Sequence, residues 1–354
     1  MSTVPTSAPA MSQHPFVSIV VPCRNEAQHI GRCLQSILDA EYPPDRLEVL
    51  VVDGRSDDGT REIVAGYAAR HPALRLLDNP QQITPVALNL GVRAAQGDLV
   101  MRMDAHVVYP RDYVVRLVAA LGESGADCVG GVIETLPVDE TPIARAIALG
   151  LSHPLGVGNA YFRIGSRHRR WADAVSFGCY RREVFDRIGL FDEDLVRNQD
   201  DEFDLRLFKH GGRILLVPDV VCSYYARQSL GQLGRMFYQY GYFKPLVAKK
   251  LGKVMTMRQL VPSLFLLTVA ATGLLSFVWP AARFAFAGVV GTYAAAVLTC
   301  SARAALRHGA RCGLALAAVF GVLHGSYGLG FLRGIGDHLL GWRRPPPAGF
   351  SLSR

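Results

Sequence analysis

Between Gln228 and Arg354 there is a single acidic side chain, Asp337, against 14 Lys+Arg. From Met1 to Arg227 the balance is 24 Lys+Arg against 29 Asp+Glu, so the formal net charge of +8 belongs to the C-terminal third. Basic residues that flank apolar segments point to an anionic membrane surface and away from nucleic acid. Also missing is any C-x-x-C pair. The seven cysteines (Cys23, Cys33, Cys128, Cys179, Cys222, Cys300, Cys312) are scattered. That argues against structural zinc and a disulfide framework, and fits a reducing compartment. Residues 1–14 lack both a basic n-region and a long apolar h-region, so they read as a disordered tail and not as a signal peptide. The segment from Pro137 to Trp171 lacks any clear period; a long irregular stretch of this kind is usually functional or mobile.

What is present is an alternation of strand and helix. Val17–Val21, Leu47–Val52, Leu74–Leu77 and Asp98–Met103 are apolar runs, and helical spacing lies between them, as in Ile30, Leu34, Ile37 and Leu38. That pitch predicts an α/β domain with a mostly parallel central sheet. Ala126–Ile133 and Ala174–Tyr180 read as further strands, and Arg213–Val217 and Val220–Tyr224 as two closing ones.

The character changes after Tyr225. The stretch 229–257 is basic and amphipathic, a composition suited to a membrane interface. Leu260–Trp279, Phe284–Ala302 and Cys312–Leu332 are apolar runs, the third weaker and glycine-containing. The expected plan is a tail at 1–14, an α/β domain at 15–228, an interfacial segment at 229–257, a membrane domain of about three helices at 258–335, and a tail at 336–354. Arg303, Arg307 and Arg311 place their loop, and with it the N-terminal domain, in the cytoplasm.

The candidate chemistry gathers at Gly97–Pro110, GDLVMRMDAHVVYP. Asp104 and His106 follow the apolar part of a strand. Two residues apart in extended chain, their side chains would point the same way. Ligands of open α/β sheets bind beyond the carboxyl ends of the strands. Asp104 is thus a candidate ligand for a divalent cation. His106 is either a second ligand, favouring Mn2+ over Mg2+ by softness, or a hydrogen-bond partner of a phosphate. A solvated strand end would carry the same residues. Asp53 closes the second strand, where an acidic side chain can accept from a ribose hydroxyl or a base N–H, or simply form a turn before Gly54.

Four motifs occur in one order: PCRNE at 22–26, VVDGRSDDGT at 51–60, ALNLGVRAAQGDLVMRMDAH at 87–106 and NQDDEFDLRL at 198–207. Together they resemble the family 2 glycosyltransferases, most closely their bacterial exopolysaccharide branch. The likeness covers roughly Val17 to Lys244. It implies the GT-A fold and an inverting transfer from a UDP-sugar, with UDP-glucose as the first choice of donor. Its implied nucleotide-sugar residues are Pro22, Arg24, Glu26, Asp53, Asn89 and Asp104, and its metal ligands Asp104 and His106, the latter in place of the usual second Asp. Aligning Arg206 with the family's x-E-L-x-x-R helix puts Asp200 on the catalytic base, with Asp201 one residue away as the other register. Glu202 and Arg235 would support the acceptor.

The implied acceptor is a polyprenyl-diphosphate-linked saccharide at the inner membrane, with other polysaccharide-assembly proteins as partners. Three alternatives stand beside this: a polyprenyl-phosphate monosaccharide transferase, a processive synthase, and a non-catalytic nucleotide-sugar-binding module. Met236 breaks the Q-x-x-R-W of processive synthases. Retention of Asp53, Asp104 and Asp200 counts against the non-catalytic module.

Overall fold

A computed structural model describes residues 14–252 and 256–342. The expected N-terminal tail, apart from His14, and the C-terminal tail beyond Trp342 lie outside the described residues. The strands are β1 (Val17–Cys23), β2 (Leu47–Asp53), β3 (Leu74–Asp78), β4 (Leu99–Arg102), β5 (Val107–Val108), β6 (Cys128–Leu136), β7 (Arg170–Ala172), β8 (Ser176–Arg181) and β9 (Ile214–Tyr225). The helices are α1 (Ile30–Leu38), α2 (Thr60–Ala68), α3 (Thr84–Ala94), α4 (Tyr113–Ser124), α5 (Pro142–Leu151), α6 (Pro154–Val157), α7 (Tyr161–Ile164), α8 (Arg182–Ile188), α9 (Gln199–Lys209), α10 (Leu230–Leu251), α11 (Val261–Leu275), α12 (Pro280–His308) and α13 (Ala310–Gly334).

Two compact units emerge: residues 1–134 with 165–224, and residues 135–164 with 225–354. The segment without a clear period therefore divides, and its part up to Ile164 belongs with the C-terminal unit. The first unit reaches Tyr224 and leaves out residues 135–164.

The first unit holds one mixed sheet in the order β3-β2-β1-β4-β8-β6-β9-β5, with β7 also on β9. The β3-β2-β1-β4 half is parallel. β8 runs antiparallel to β4 and β6, and β5 and β7 antiparallel to β9. All seven residues of β2 are buried, as expected of a parallel strand covered on both faces. The two closing strands are one 12-residue strand, β9. It runs through Pro218, which is not among the residues paired with β7 (214–216) or with β5 (223–224).

The second unit is helical. Its core joins Ile147 and Leu151 of α5, Leu233 and Met236 of α10, Val297 of α12, and Leu316, Val319, Phe320 and Leu323 of α13. The glycines of the third apolar run have a packing reason. A Cβ on Gly330 would lie 2.1 Å from the Tyr238 carbonyl oxygen, one on Gly334 2.2 Å from that of Tyr242, and one on Gly241 2.1 Å from that of Tyr327. α10 and α13 thus meet backbone to backbone, as small residues permit. α10 covers its apolar face with α13, where an isolated interfacial helix would have turned it to lipid.

Three crossing helices were expected, and the lengths rank differently. α12 (29 residues) and the helix from Ala310 to Leu339 (30 residues) are long and apolar enough to cross a membrane. The first run, expected to be among the strongest, is helical over only 15 residues in α11, a rise of about 22 Å. Pro280 starts α12 at its first turn, a position proline favours, which ends the earlier run.

Candidate active site

β1, β2 and β4 run in parallel; β1 and β2 end in register at Cys23 and Asp53 and β4 ends at Arg102, level with Val20, so the loops that follow them share one edge. The first two loops are tied by side-chain bonds. Asn25 N–H donates to Ser56 Oγ (2.7 Å), Glu26 N–H to Thr60 Oγ1 (2.7 Å), Ala27 N–H to Asp58 Oδ2 (3.1 Å), and Asp57 N–H to Asn25 Oδ1 (3.0 Å). Asn25 and Arg55 both have φ of 55°. Such conformations are costly for residues other than glycine and persist where surrounding contacts fix them. Gly54 lets the Arg24 side chain lie across the loop, since a Cβ there would sit 3.2 Å from the Arg24 Cβ. Arg24 is exposed and Pro22 half-buried.

Asp53 has no exposed surface. Its Oδ1 accepts from Ser56 Oγ (2.5 Å), and its Oδ2 from Ser56 N–H (3.0 Å) and Arg61 Nη1 (2.7 Å). Its carboxylate thus organises the 53–61 loop, the turn-forming role left open by the sequence.

The DAH stretch is not extended. β4 stops at Arg102, the chain turns at Ala105-His106, and β5 begins at Val107. The expectation that alternation along a strand would align Asp104 and His106 is corrected: a turn sets their directions. His106 Nδ1 lies 3.5 Å from Glu26 Oε1, and its ring packs edge-on against Tyr224 (5.4 Å). Asp104 N–H donates to Tyr109 Oη (2.8 Å).

Period-two geometry instead joins Asp104 to Arg102, two residues earlier. Arg102 Nε donates to Asp104 Oδ1 (3.1 Å) and Nη2 to Oδ2 (3.3 Å), while Nη1 donates to Asp200 Oδ2 (2.9 Å). The sequence candidates Asp104 and Asp200 therefore meet on one guanidinium. Burial by itself would depress the Arg102 pKa; the two carboxylates outweigh it and push it upward. The one sequence signal for Arg102 is its R-x-D spacing to Asp104 at a strand end.

Asp200 sits in the first turn of α9, where the helix dipole favours a carboxylate. Its Oδ1 accepts from Asp201 N–H (2.9 Å).

Two other candidates are held by partners within the fold. Asn89 is buried; its amide nitrogen donates to the Phe191 carbonyl (2.9 Å) and Glu193 Oε1 (2.8 Å), and its oxygen accepts from Phe191 N–H (2.9 Å). It anchors the 189–193 loop and leaves no amide hydrogen for a nucleotide. Glu202 is also buried and pairs bidentately with Arg206 (2.8 and 2.9 Å), which in turn holds the Leu190 carbonyl (2.8 Å). Enclosed by its own helix partner, this carboxylate braces the loop before α9, and the acceptor support expected of Glu202 would act from that position. Arg235 lies on α10, in the second unit.

A further residue, Asp204, was not foreseen. It is buried one turn after Asp200 and accepts from Val175 N–H (3.0 Å) and Tyr180 Oη (2.7 Å). Burial raises its pKa to about 8, with Asp200 and Asp201 adding to the rise. A raised carboxyl pKa means that the folded state holds a proton the unfolded chain has released. Its contribution to stability is full below the ordinary carboxylate pKa and is lost as pH rises through about 8. Asp204→Asn, which mimics the neutral form, should flatten the fall of melting temperature between about pH 5 and 8. Asp204→Ala should cost about 1–3 kcal/mol for each donor left unsatisfied. Thermal melts of the detergent-solubilised chain over that pH range would check both.

No group of three or more His, Cys, Asp and Glu side chains forms a ready metal cage among the described residues. Asp104 nevertheless offers the carboxylate oxygens that a hard divalent cation takes. Such ions are held by one or two protein ligands and complete their shell with water and substrate phosphates. Each Asp104 oxygen keeps a lone pair beyond its bond to Arg102.

A mixed sheet with a parallel β3-β2-β1-β4 half, a DxH turn after β4 and a carboxylate-led helix beside it define a GT-A nucleotide-diphospho-sugar transferase. The glycosyl transferase family 2 model matches residues 18–189. The chain is 34% identical to the succinoglycan biosynthesis protein ExoA of Rhizobium meliloti over 92% of its own length and 96% of that protein. It therefore belongs to glycosyltransferase family 2. A dolichyl-phosphate-saccharide glucuronosyltransferase of Methanococcus voltae is 28% identical over 75% of this chain and 84% of that protein. Among solved structures, a mannosyltransferase from Pyrobaculum calidifontis in complex with GDP-Man and Mn2+ superposes with a TM-score of 0.57 at 25% identity, covering 90% of this chain and 89% of that one.

Proposed function

We propose that this glycosyltransferase moves one sugar, with inversion, from a UDP-sugar to a lipid-linked saccharide in the building of an exopolysaccharide or cell-surface glycan. The observation that carries the reading is the convergence of Asp104, at the end of β4, and Asp200, at the start of α9, on Arg102. Transfer needs two things close together: a donor-diphosphate site and a base for the attacking hydroxyl. Asp104 serves the first and Asp200 the second. Pro22, Arg24 and Glu26 line the nucleotide side, with Asp53 acting through the loop it organises. Asp104 and His106 would hold Mn2+ or Mg2+, which when bound supplies positive charge to the leaving diphosphate. Arg235 is assigned to acceptor support.

Membrane attachment is part of the reading. Phe284, Leu298 and Leu306 of α12 and Leu264, Leu267 and Leu274 of α11 are all exposed. Apolar surface of this extent fits lipid. A cytoplasmic catalytic unit, with Arg303, Arg307 and Arg311 also cytoplasmic, requires an odd number of crossings before that junction plus one return. Leu260–Trp279, whose exposed Phe277, Val278 and Trp279 extend α11, would make the first of the two. The chain should stay in the membrane pellet after carbonate extraction, and a reporter at 280–283 should respond from the non-cytoplasmic side. Soluble full-length protein without detergent would overturn this.

The donor and acceptor are tested with purified chain, radiolabelled UDP-glucose or GDP-mannose, and a polyprenyl-diphosphate monosaccharide. Label should enter the lipid phase from UDP-glucose and release a disaccharide on mild acid. Label from GDP-mannose alone would overturn the donor assignment. With polyprenyl phosphate supplied as a second acceptor, a monosaccharide monophosphate lipid as product would favour the polyprenyl-phosphate transferase.

A further inference from the structure

We infer that Arg102 is a positioning residue for the transfer step: its fork fixes the base-side carboxylate of Asp200 relative to the donor-side carboxylate of Asp104. This rests on the reading of Asp200 as the base.

Three features support it. First, Asp200 lies 98 residues beyond Arg102 in sequence, yet it meets Asp104 on that one cation. Second, the work is divided across the fork. Nε and Nη2 bind Asp104 in a bidentate pair, and Nη1 is left for Asp200. A guanidinium is planar and rigid, so holding one carboxylate by two bonds fixes the direction of the third. Third, Arg102 is itself well fixed. It closes β4 in register with Val20 of β1, and its side chain is only 13% exposed, whereas that of Asp200 is 45% exposed. The better-anchored partner therefore sets the position of the looser one. Asp200 Oδ1 is meanwhile held by the Asp201 N–H. Both oxygens have a defined partner, and the carboxylate plane is set before any acceptor arrives.

Without the guanidinium, Asp104 and Asp200 would face each other as like charges, and Asp200, half-buried on the first turn of α9, would lose the partner of its Oδ2. Misplacement of a reacting group by about 1 Å can cost about 10²-fold in rate. Lysine is no substitute, because one ammonium cannot reproduce a bidentate pair together with a third directed bond.

The test is a double-mutant cycle on kcat with Arg102→Gln, Asp200→Asn and the double variant, in the full-length chain. Nucleoside diphosphate binding by calorimetry reports folding of each protein. Arg102→Gln should lower kcat about 10²-fold in the otherwise unchanged enzyme. With Asp200→Asn already present it should lower kcat less than about 3-fold, because residues acting as a unit are not additive. A purely structural Arg102 would give the same loss in both backgrounds, and that additive result would overturn the inference. If Asp200→Asn leaves kcat unchanged, the base assignment itself fails and the inference falls with it, an outcome distinct from additivity. Should Arg102→Gln lose nucleotide binding, Arg102→Lys is carried through the same cycle, with the same two outcomes.

Discussion

Asp200→Asn is expected to lower kcat for sugar transfer by about 10²–10⁴-fold, the usual contribution of a general base, with nucleotide affinity retained. Only the attacking hydroxyl needs deprotonating, and the donor is bound before that. An interaction made only in the transition state lowers kcat and kcat/KM together and leaves KM unchanged. Asparagine keeps the shape of the side chain and the acceptor for the Asp201 N–H, while removing the charge that would take the proton. Asp201→Asn should cost much less. Sequence alone left the register open between the two, and Asp200 is the one whose carboxylate meets the Arg102 Nη1 at 2.9 Å. Glu202→Gln, buried against Arg206, should appear mainly as a lower melting temperature, because it weakens the brace on the 188–190 turn. Single-turnover rates and calorimetric nucleotide affinities of the three variants would decide. A slow Asp201→Asn beside a normal Asp200→Asn would move the base by one residue. Normal rates in both would remove it from this helix.

Asp104→Ala should abolish transfer, and chelation by EDTA should do the same to the unaltered enzyme. Asp104 is the carboxylate at the end of β4, beyond which the donor diphosphate of an open α/β sheet belongs. Oxygen ligands and substrate phosphates are what Mg2+ and Mn2+ require. Alanine also releases Arg102 from its bidentate partner, so Asp104→Asn is the cleaner comparison. It keeps an oxygen for Arg102 while weakening the cation site. It should bind the nucleotide-sugar more weakly in the presence of Mn2+ than the unaltered chain does, and differ little from it in EDTA. Full activity in metal-free buffer would refute the cation. His106→Asp should retain activity and shift preference from Mn2+ toward Mg2+ by ligand softness. A loss at every metal concentration would give His106 another task, for which its contact with Glu26 is the natural starting point.

The sequence by itself determined the alternation of strand and helix along the parallel half, the class of enzyme and the short stretches that carry chemistry. β2 is a continuous apolar run, and such a run has little choice but a strand buried on both faces. PCRNE, the Asp53 turn and Asp104 lie in loops after parallel strands, which strand–helix alternation places at one end of the sheet, and Asp200 lies at a helix start. These are local or periodic properties, and local sequence encodes them.

Only the tertiary structure decided which of those residues face one another. Asn89, Glu202 and Asp53 carry the right chemistry for a ligand, yet their polar atoms are taken by Phe191, Arg206 and Ser56. A buried polar group must find partners, and which partners are within reach depends on chain segments far away in sequence. Arg102 shows the converse. Read along the chain it is one basic residue in an apolar strand, and its meaning appears only when α9, nearly a hundred residues later, brings Asp200 to its free edge. The glycines of α13 follow the same logic. They weaken the run as a helix signal, but they are what lets α10 approach to backbone contact, a requirement set by the partner helix and invisible in the segment itself.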